Sequence, residues 1–252
     1  MVRLFVWHRE YALIEPKPID SNAHPNLIDR VAHAAVAEVV SGMLIGLGTG
    51  RASNRVIKAL AERVARDRLD IDCVCTSSAT EALAHELAMP IVQFNEVEQV
   101  DILIDGAHEV DHELRMLKGH SGAVTRQRLV AEVAARRIYI AGQDKLVEKL
   151  GTNSLLAITI IPFGMASIRA RLRDMGYGGV LRHSLDGEIF VTDGGGVILD
   201  TRLPDRAIEE IAEELDHVTG VVDHGIFLNE ADTIFLDCKD GSVKRLDRAA
   251  ST

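Results

Sequence analysis

Short aliphatic runs alternate with longer amphipathic stretches from about Asn26 to Gly151, and that alternation limits the chain to a few architectures. The spacing predicts a helix over Asn26 to Val40, ending near Ser41-Gly42. Met43-Leu44-Ile45-Gly46-Leu47 reads as a buried strand, followed by a glycine turn and a helix from Ala52 to Asp67. A strand over Ile71 to Thr76, a helix over Ala79 to Ala88 and a strand over Asp101 to Asp105 come next. The series closes with a helix over Arg126 to Arg136 and a strand over Arg137 to Ala141. Strands separated by helices pair in parallel through right-handed crossovers, which predicts a Rossmann-like three-layer α/β domain. The pattern changes after Gly151. Strands over Ile158 to Ile161, Glu188 to Thr192 and Gly196 to Asp200, with helices over Ala166 to Met175 and Pro204 to Leu215, fit a small α+β unit of the split βαβ, ferredoxin-like type. The expected division is a first domain made of residues 1–151 and 223–252 and an inserted one of residues 152–222, with Thr233 to Leu236 returning to the first sheet.

Charge and cysteine content exclude several function classes. Lys and Arg number 28 against 38 Asp and Glu, a formal charge of −10, and no basic patch is segregated. Such a chain repels a phosphodiester backbone, so no nucleic-acid partner is expected. Cys73 and Cys75 alternate within a strand pattern and Cys238 stands alone, which gives neither a disulfide framework nor a C-x-x-C metal pair. Arg3, His8, Arg9, Glu10 and Glu15 interrupt any signal-peptide core, and no apolar run reaches the ~18 residues of a membrane span. A cytoplasmic protein without a membrane partner is expected.

Three segments carry chemistry. Gly46-Leu47-Gly48-Thr49-Gly50-Arg51-Ala52-Ser53 lies between a strand and a helix, where backbone N–H groups favour a phosphate or carboxylate. It matches neither G-x-G-x-x-G nor the P-loop, and alone it is equally a structural turn. Thr76-Ser77-Ser78-Ala79-Thr80-Glu81 is a second helix start rich in hydroxyls, suited to capping or to an anion. The densest polar stretch, Asp105-Gly106-Ala107-His108-Glu109-Val110-Asp111-His112, follows a strand, with Lys118-Gly119-His120-Ser121-Gly122 close behind. A carboxylate at a strand end and a lysine on a glycine-containing loop suit proton shuttling and oxyanion stabilisation. Read literally, His108 to His112 is H-E-x-x-H, but that zinc motif needs one continuous helix, and this copy follows a strand and the Gly106 turn. A looser metal site from His108, His112 and His120 competes with solvated loop histidines. His224 reads as a packed or capping histidine and Asp193 as part of a glycine-rich turn.

Taken in order, Gly-Leu-Gly-Thr-Gly, Thr-Ser-Ser-x-x-Thr, Ile-Asp-Gly-Ala-x-Glu-Val-Asp, Leu-x-Lys-Gly and Lys145-Leu146-Val147 resemble ribose-5-phosphate isomerase of the A type. Pro162-Phe163-Gly164, Thr192-Asp193-Gly194-Gly195 and Gly220-Val221-Val222-Asp223-His224-Gly225 extend the resemblance to about Leu236. The first 20 residues look like an added N-terminal extension. The resemblance implies interconversion of ribose 5-phosphate and ribulose 5-phosphate in the pentose phosphate pathway, through a cis-enediolate and without a metal or other cofactor. It implies a small phosphorylated sugar as partner and a homodimer or homotetramer. It implies catalytic roles for Asp105 and Lys118, and substrate or phosphate contacts at Thr49, Gly50, Arg51, Ala52, Ser53, Thr76, Ser77, Gly106, Ala107, Gly119, His120, Ser121 and Lys145.

The chain departs from the family pattern at several of these places. The second Asp of the family's I-D-G-A-D motif is His108, two glycines of K-G-G-G-G are His120 and Ser121, and the phosphate loop carries Arg51 in place of a hydroxyl. The family's proton-transfer Glu is Gln127, whose primary amide has no useful basicity. Two readings follow. In the first, the chain is an isomerase in which His108 replaces the lost base, with activity rising through the ordinary histidine pKa of ~6.5. Arg51 would then grip the phosphate by a bidentate contact, converging with Lys145 on the two helix starts. In the second, the chain is an inactive sugar-phosphate-binding or sensor homologue.

Overall fold

The computed structural model describes residues 29–249. In chain order the elements are α1 (Arg30–Val36), β1 (Leu44–Leu47), α2 (Arg51–Asp67), β2 (Asp72–Cys75), α3 (Ser78–Glu86), β3 (Val100–Gly106), β4 (Glu109–Val110), β5 (Met116–Leu117), α4 (Val124–Glu132) and β6 (Ala134–Gly142). They continue with β7 (Leu156–Ile160), α5 (Met165–Asp174), β8 (Gly179–Leu181), β9 (Val197–Thr201), α6 (Ile208–Asp216), β10 (Val221–His224), β11 (Ile226–Phe227), β12 (Thr233–Asp237) and β13 (Val243–Asp247). Among the described residues no helix is long and apolar enough to cross a membrane.

The central sheet has the order β13, β12, β6, β3, β1, β2 and is parallel except for β13, an antiparallel strand at its edge. Its inner strands are covered on both faces, which is why they read as continuous apolar runs. Val31, Ala35, Val56, Ile57 and Leu60 from α1 and α2 pack with Ile45, Ile102 and Ile104 on one side. Val124, Val130 and Ala131 of α4 pack with Leu103 and Tyr139 on the other. The chain leaves β1 through α2 toward β2 and returns through α3 to β3, on the opposite flank of β1. Strand order therefore reverses between β1 and β3, and the crevice at their carboxyl ends is where ligands of open α/β sheets bind.

A second sheet, ordered β10, β7, β9, β8, is antiparallel throughout. Ile158, Ile160 and Leu199 meet Ile168 and Leu172 of α5 and Ile211 and Leu215 of α6 across its core. The order is β-α-β-β-α-β, of the split βαβ type expected from the sequence, with β8 and β10 as strands the sequence did not show. A three-stranded patch ordered β11, β5, β4 carries the segment from His108 to Lys118.

Three details differ from the sequence expectation. The helix anticipated over Arg126 to Arg136 stops at Glu132, because Ala134 and Arg136 are already paired with Val100 and Ile102 of β3. Glu188 to Thr192 forms no strand: Ile189 and Val191 make single bridges to His183 and Val197, with 36% and 58% of their surface exposed. There is no apolar layer for those two side chains to enter, and β8 takes the fourth place in the sheet. Helix α1 spans only Arg30–Val36 of the expected Asn26 to Val40, while residues 26–28 and the expected N-terminal extension lie outside the described residues.

Candidate active site

Asp105 stands at the carboxyl end of β3 with none of its surface exposed. Its carboxylate accepts from five donors. Oδ1 receives the Thr49 N–H at 3.1 Å, the Ser53 hydroxyl at 2.9 Å and the Gly106 N–H at 2.7 Å. Oδ2 receives the Lys118 ammonium and the Gln127 amide Nε2, each at 2.8 Å. Lys118 Nζ also donates to the Gly106 carbonyl. Both charged side chains are fully buried, so the pair depends on these contacts and not on water. Burial pulls the Lys118 pKa down, and the neighbouring Asp105 charge opposes that shift.

Local backbone makes this possible. A side chain at Gly48 would put its Cβ 2.1 Å from Asp105 Oδ1, so only glycine lets the end of β1 come this close to β3. Similarly, a Cβ at Gly225 would lie 2.2 Å from the Lys118 carbonyl carried in from β5, whose N–H donates to the Gly225 carbonyl at 2.8 Å. Gln127 arrives from α4, is 1% exposed, and leaves its Oε1 without a partner.

The two helix starts meet beside this network. Thr49 Oγ1 lies 2.7 Å from Thr76 Oγ1, 2.8 Å from Ser77 Oγ and 3.0 Å from Thr80 Oγ1. Gly50 caps α2 at φ 110° with no side-chain bond to the first-turn N–H groups. Four hydroxyls and an open helix N-terminus thus converge, the ingredients of a phosphate site. Ala52 backs onto Gly106, where an added Cβ would lie 2.9 Å away. Arg51, the first residue of α2, is exposed and makes no hydrogen bond or ion pair among the described residues.

The histidines separate. The His108 and His120 rings lie 5.4 Å apart, but His112 is exposed and pairs with Glu148 at 3.3 Å. No group of three or more metal-ligating side chains forms among the described residues. Burial, then the charges of Lys118, His120, Lys145 and Arg182, push the His108 pKa down to about 3. Its Nδ1 is buried without a partner, as is Ser121 Oγ on the adjoining loop. That loop is pinned by Arg182, which donates to the Gly119 and His120 carbonyls at 2.6 and 3.1 Å while paired with Asp200. Ala107 and Gly119 continue the chain at each side of the Asp105–Lys118 pair, and Lys145 is half-buried with Asp144 at 3.6 Å. His224 is packed and capping: its Nδ1 accepts from Ile226 N–H at 3.2 Å and its Nε2 meets Asp216.

Comparison with known proteins places this geometry. The profile of the family described as Ribose 5-phosphate isomerase A (phosphoriboisomerase A) matches residues 72–241. A protein of Sphingopyxis alaskensis named ribose-5-phosphate isomerase A is 42% identical over 203 residues, 80% of this chain and 88% of its own length. The chain belongs to the ribose 5-phosphate isomerase A family. An Agrobacterium fabrum relative of the same name is 41% identical over 84% of this chain and 94% of its own. Among solved structures, ribose 5-phosphate isomerase A from Methanocaldococcus jannaschii superposes with a TM-score of 0.81 at 32% identity, covering 86% of this chain and 96% of that one. A D-ribose-5-phosphate isomerase solved in complex with phospho-erythronic acid does so with a TM-score of 0.82, again at 32% identity and with the same coverage.

Thr80, part of the hydroxyl-rich helix start named in the sequence, completes the hydroxyl cluster. Two residues that the geometry brings in gave no signal: Arg182 comes from the second sheet, and Tyr139 reads as an ordinary core aromatic.

Proposed function

We propose that this chain isomerises a phosphorylated aldose to the corresponding ketose, ribose 5-phosphate being the substrate to which its relatives' names point. The observation that carries the reading is the fully buried Asp105–Lys118 pair, joined by Ser53 and Gln127, at the strand-order reversal beside four converging hydroxyls. A phosphate exchanges the bonds that Thr49, Thr76, Ser77 and Thr80 make with one another for bonds to its own oxygens. Lys118 is fully covered in the structure, so substrate binding must open a path to it before it can meet the oxyanion of the enediolate, where charge grows on going to the transition state. Asp105 moves the hydroxyl proton between the two oxygens. The carbon-bound proton goes to His108, whose imidazole is neutral, and negative charge arriving with the substrate raises its proton affinity.

Two results test the assignment. His108→Ala is expected to lower conversion of ribose 5-phosphate by at least ~10²-fold while changing its dissociation constant by less than about threefold. The ratio kcat/KM, which reports the free chain, is expected to show no histidine inflection between pH 5 and 8, in place of the rise near the ordinary value expected from sequence. The sign follows from the direction of the shift: a pKa pushed down to about 3 keeps the imidazole in its basic form throughout that window. A His108→Ala variant with undiminished turnover contradicts the role.

A second reading, binding without turnover, is favoured by one observation. Gln127 supplies an amide donor to Asp105, not a carboxylate, beside the sugar site.

A further inference from the structure

Lys118 carries its charge where no water reaches it, with a side-chain exposure of 0%. One carboxylate and one carbonyl leave part of the ammonium facing carbon. That part is covered by two aromatic faces. Lys118 Nζ is 5.0 Å from the centroid of the Tyr139 ring and 5.6 Å from that of Phe227, and both rings are completely buried. Each lies within the ~6 Å at which a ring quadrupole attracts a cation, and the attraction grows when the pair is dry.

The topology explains how these groups meet. Tyr139 of β6 is the register partner of Asp105 of β3, so the ring and the carboxylate reach Lys118 from neighbouring strands. Phe227 of β11 is paired with Met116 of β5, two residues before Lys118. Tyr139 is not there for its hydroxyl, which is buried and has no hydrogen-bond partner. A phenylalanine would fill the same space without that unsatisfied group. The Phe227 ring is shared with a second cation, because the Arg128 guanidinium carbon lies 4.1 Å from its centroid. Arg128 is itself held by Asp223 and Glu230.

We propose that Tyr139 and Phe227 are positioning residues of the active site, an aromatic cage that holds the Lys118 ammonium protonated and against Asp105, with Tyr139 the stronger member because it is nearer and unshared. The inference rests on the reading of Lys118 as the group that meets the substrate oxygens. Its own content is the state of Lys118, which is measurable in a chain that turns nothing over.

The test is a titration of Lys118 in the full chain by lysine 15Nζ NMR, with Lys118→Met to assign the signal. Tyr139→Leu is expected to move the Lys118 titration down by about one pH unit or more, since the cage favours the charged form. Tyr139→Phe keeps the ring and is expected to leave the titration in place. Phe227→Leu shifts it the same way by less, and decides the matter if Tyr139→Leu does not fold. Where turnover is measurable, the alkaline limb of kcat moves down with the titration in Tyr139→Leu, while KM changes by less than about threefold. An unmoved titration in both leucine variants overturns the cage. So does a shift in Tyr139→Phe as large as in Tyr139→Leu, which would put the effect in the hydroxyl. Absence of turnover alongside the expected titrations counts against the isomerase reading and supports the cage.

Discussion

Gln127→Glu is expected to raise the rate of ribose 5-phosphate isomerisation, by at most the ~10²–10⁴-fold worth of a positioned general base, because it adds a carboxylate beside the imidazole of His108. Gln127 is buried, its Nε2 is committed to Asp105 Oδ2 at 2.8 Å, and its Oε1 is unpartnered. An amide in that place cannot take a proton from carbon. A carboxylate can, and its setting would strengthen it: two carboxylates in contact share protons more tightly than either does alone. The same change removes a donor from Asp105, so a stability loss of about 1–3 kcal/mol should accompany the gain in rate. Initial rates across a substrate series decide it. A rate unchanged or lowered would mean that a carboxylate on α4 adds no second route for the carbon proton beside the one through His108.

Lys118→Met is expected to cost about 3–5 kcal/mol of stability, because breaking a buried ion pair strands the other charge. Asp105 would keep Ser53, Gln127 and two backbone N–H groups as donors but would have no counter-charge in contact. Methionine fits the space of the lysine stem, so the loss reports the charge and not a cavity. Turnover should vanish as well, since the enediolate loses its oxyanion partner. Urea unfolding with an unchanged m-value measures the first effect. A loss below about 1 kcal/mol would place the pair in a wet, surface-like setting, contrary to its zero exposure.

The first sheet was readable in the sequence because its inner strands are apolar on both faces; β3 alone buries Ile102, Leu103 and Ile104 in succession. Elements that depend on partners were not. Ala134 to Arg136 look helical next to α4, and only pairing with β3 makes them strand. The two-residue strands β4, β5 and β11 have no period to detect. In the site, Asp105 was legible as a carboxylate at a strand end and Lys118 as a lysine on a glycine-containing loop. That they touch, and that Gln127 touches the same carboxylate, depends on α4 and β5 arriving from elsewhere in the chain. The position of Arg51 at a helix start was also visible in the sequence, and the structure places it at the first residue of α2. Tyr139 reads as core, and it is core; its service to Lys118 comes from the register of β6 on β3.

In the proposed reaction a proton moves between adjacent carbons of a phosphorylated sugar. Proton NMR of ribose 5-phosphate incubated with the purified chain in heavy water tests it most directly. The C2 proton signal is expected to disappear and ribulose 5-phosphate to appear, at a rate above buffer alone and lowered by His108→Ala. A chain that ribose 5-phosphate saturates, yet whose bound sugar keeps its C2 proton indefinitely, would contradict the account and leave a sugar-phosphate-binding protein in its place.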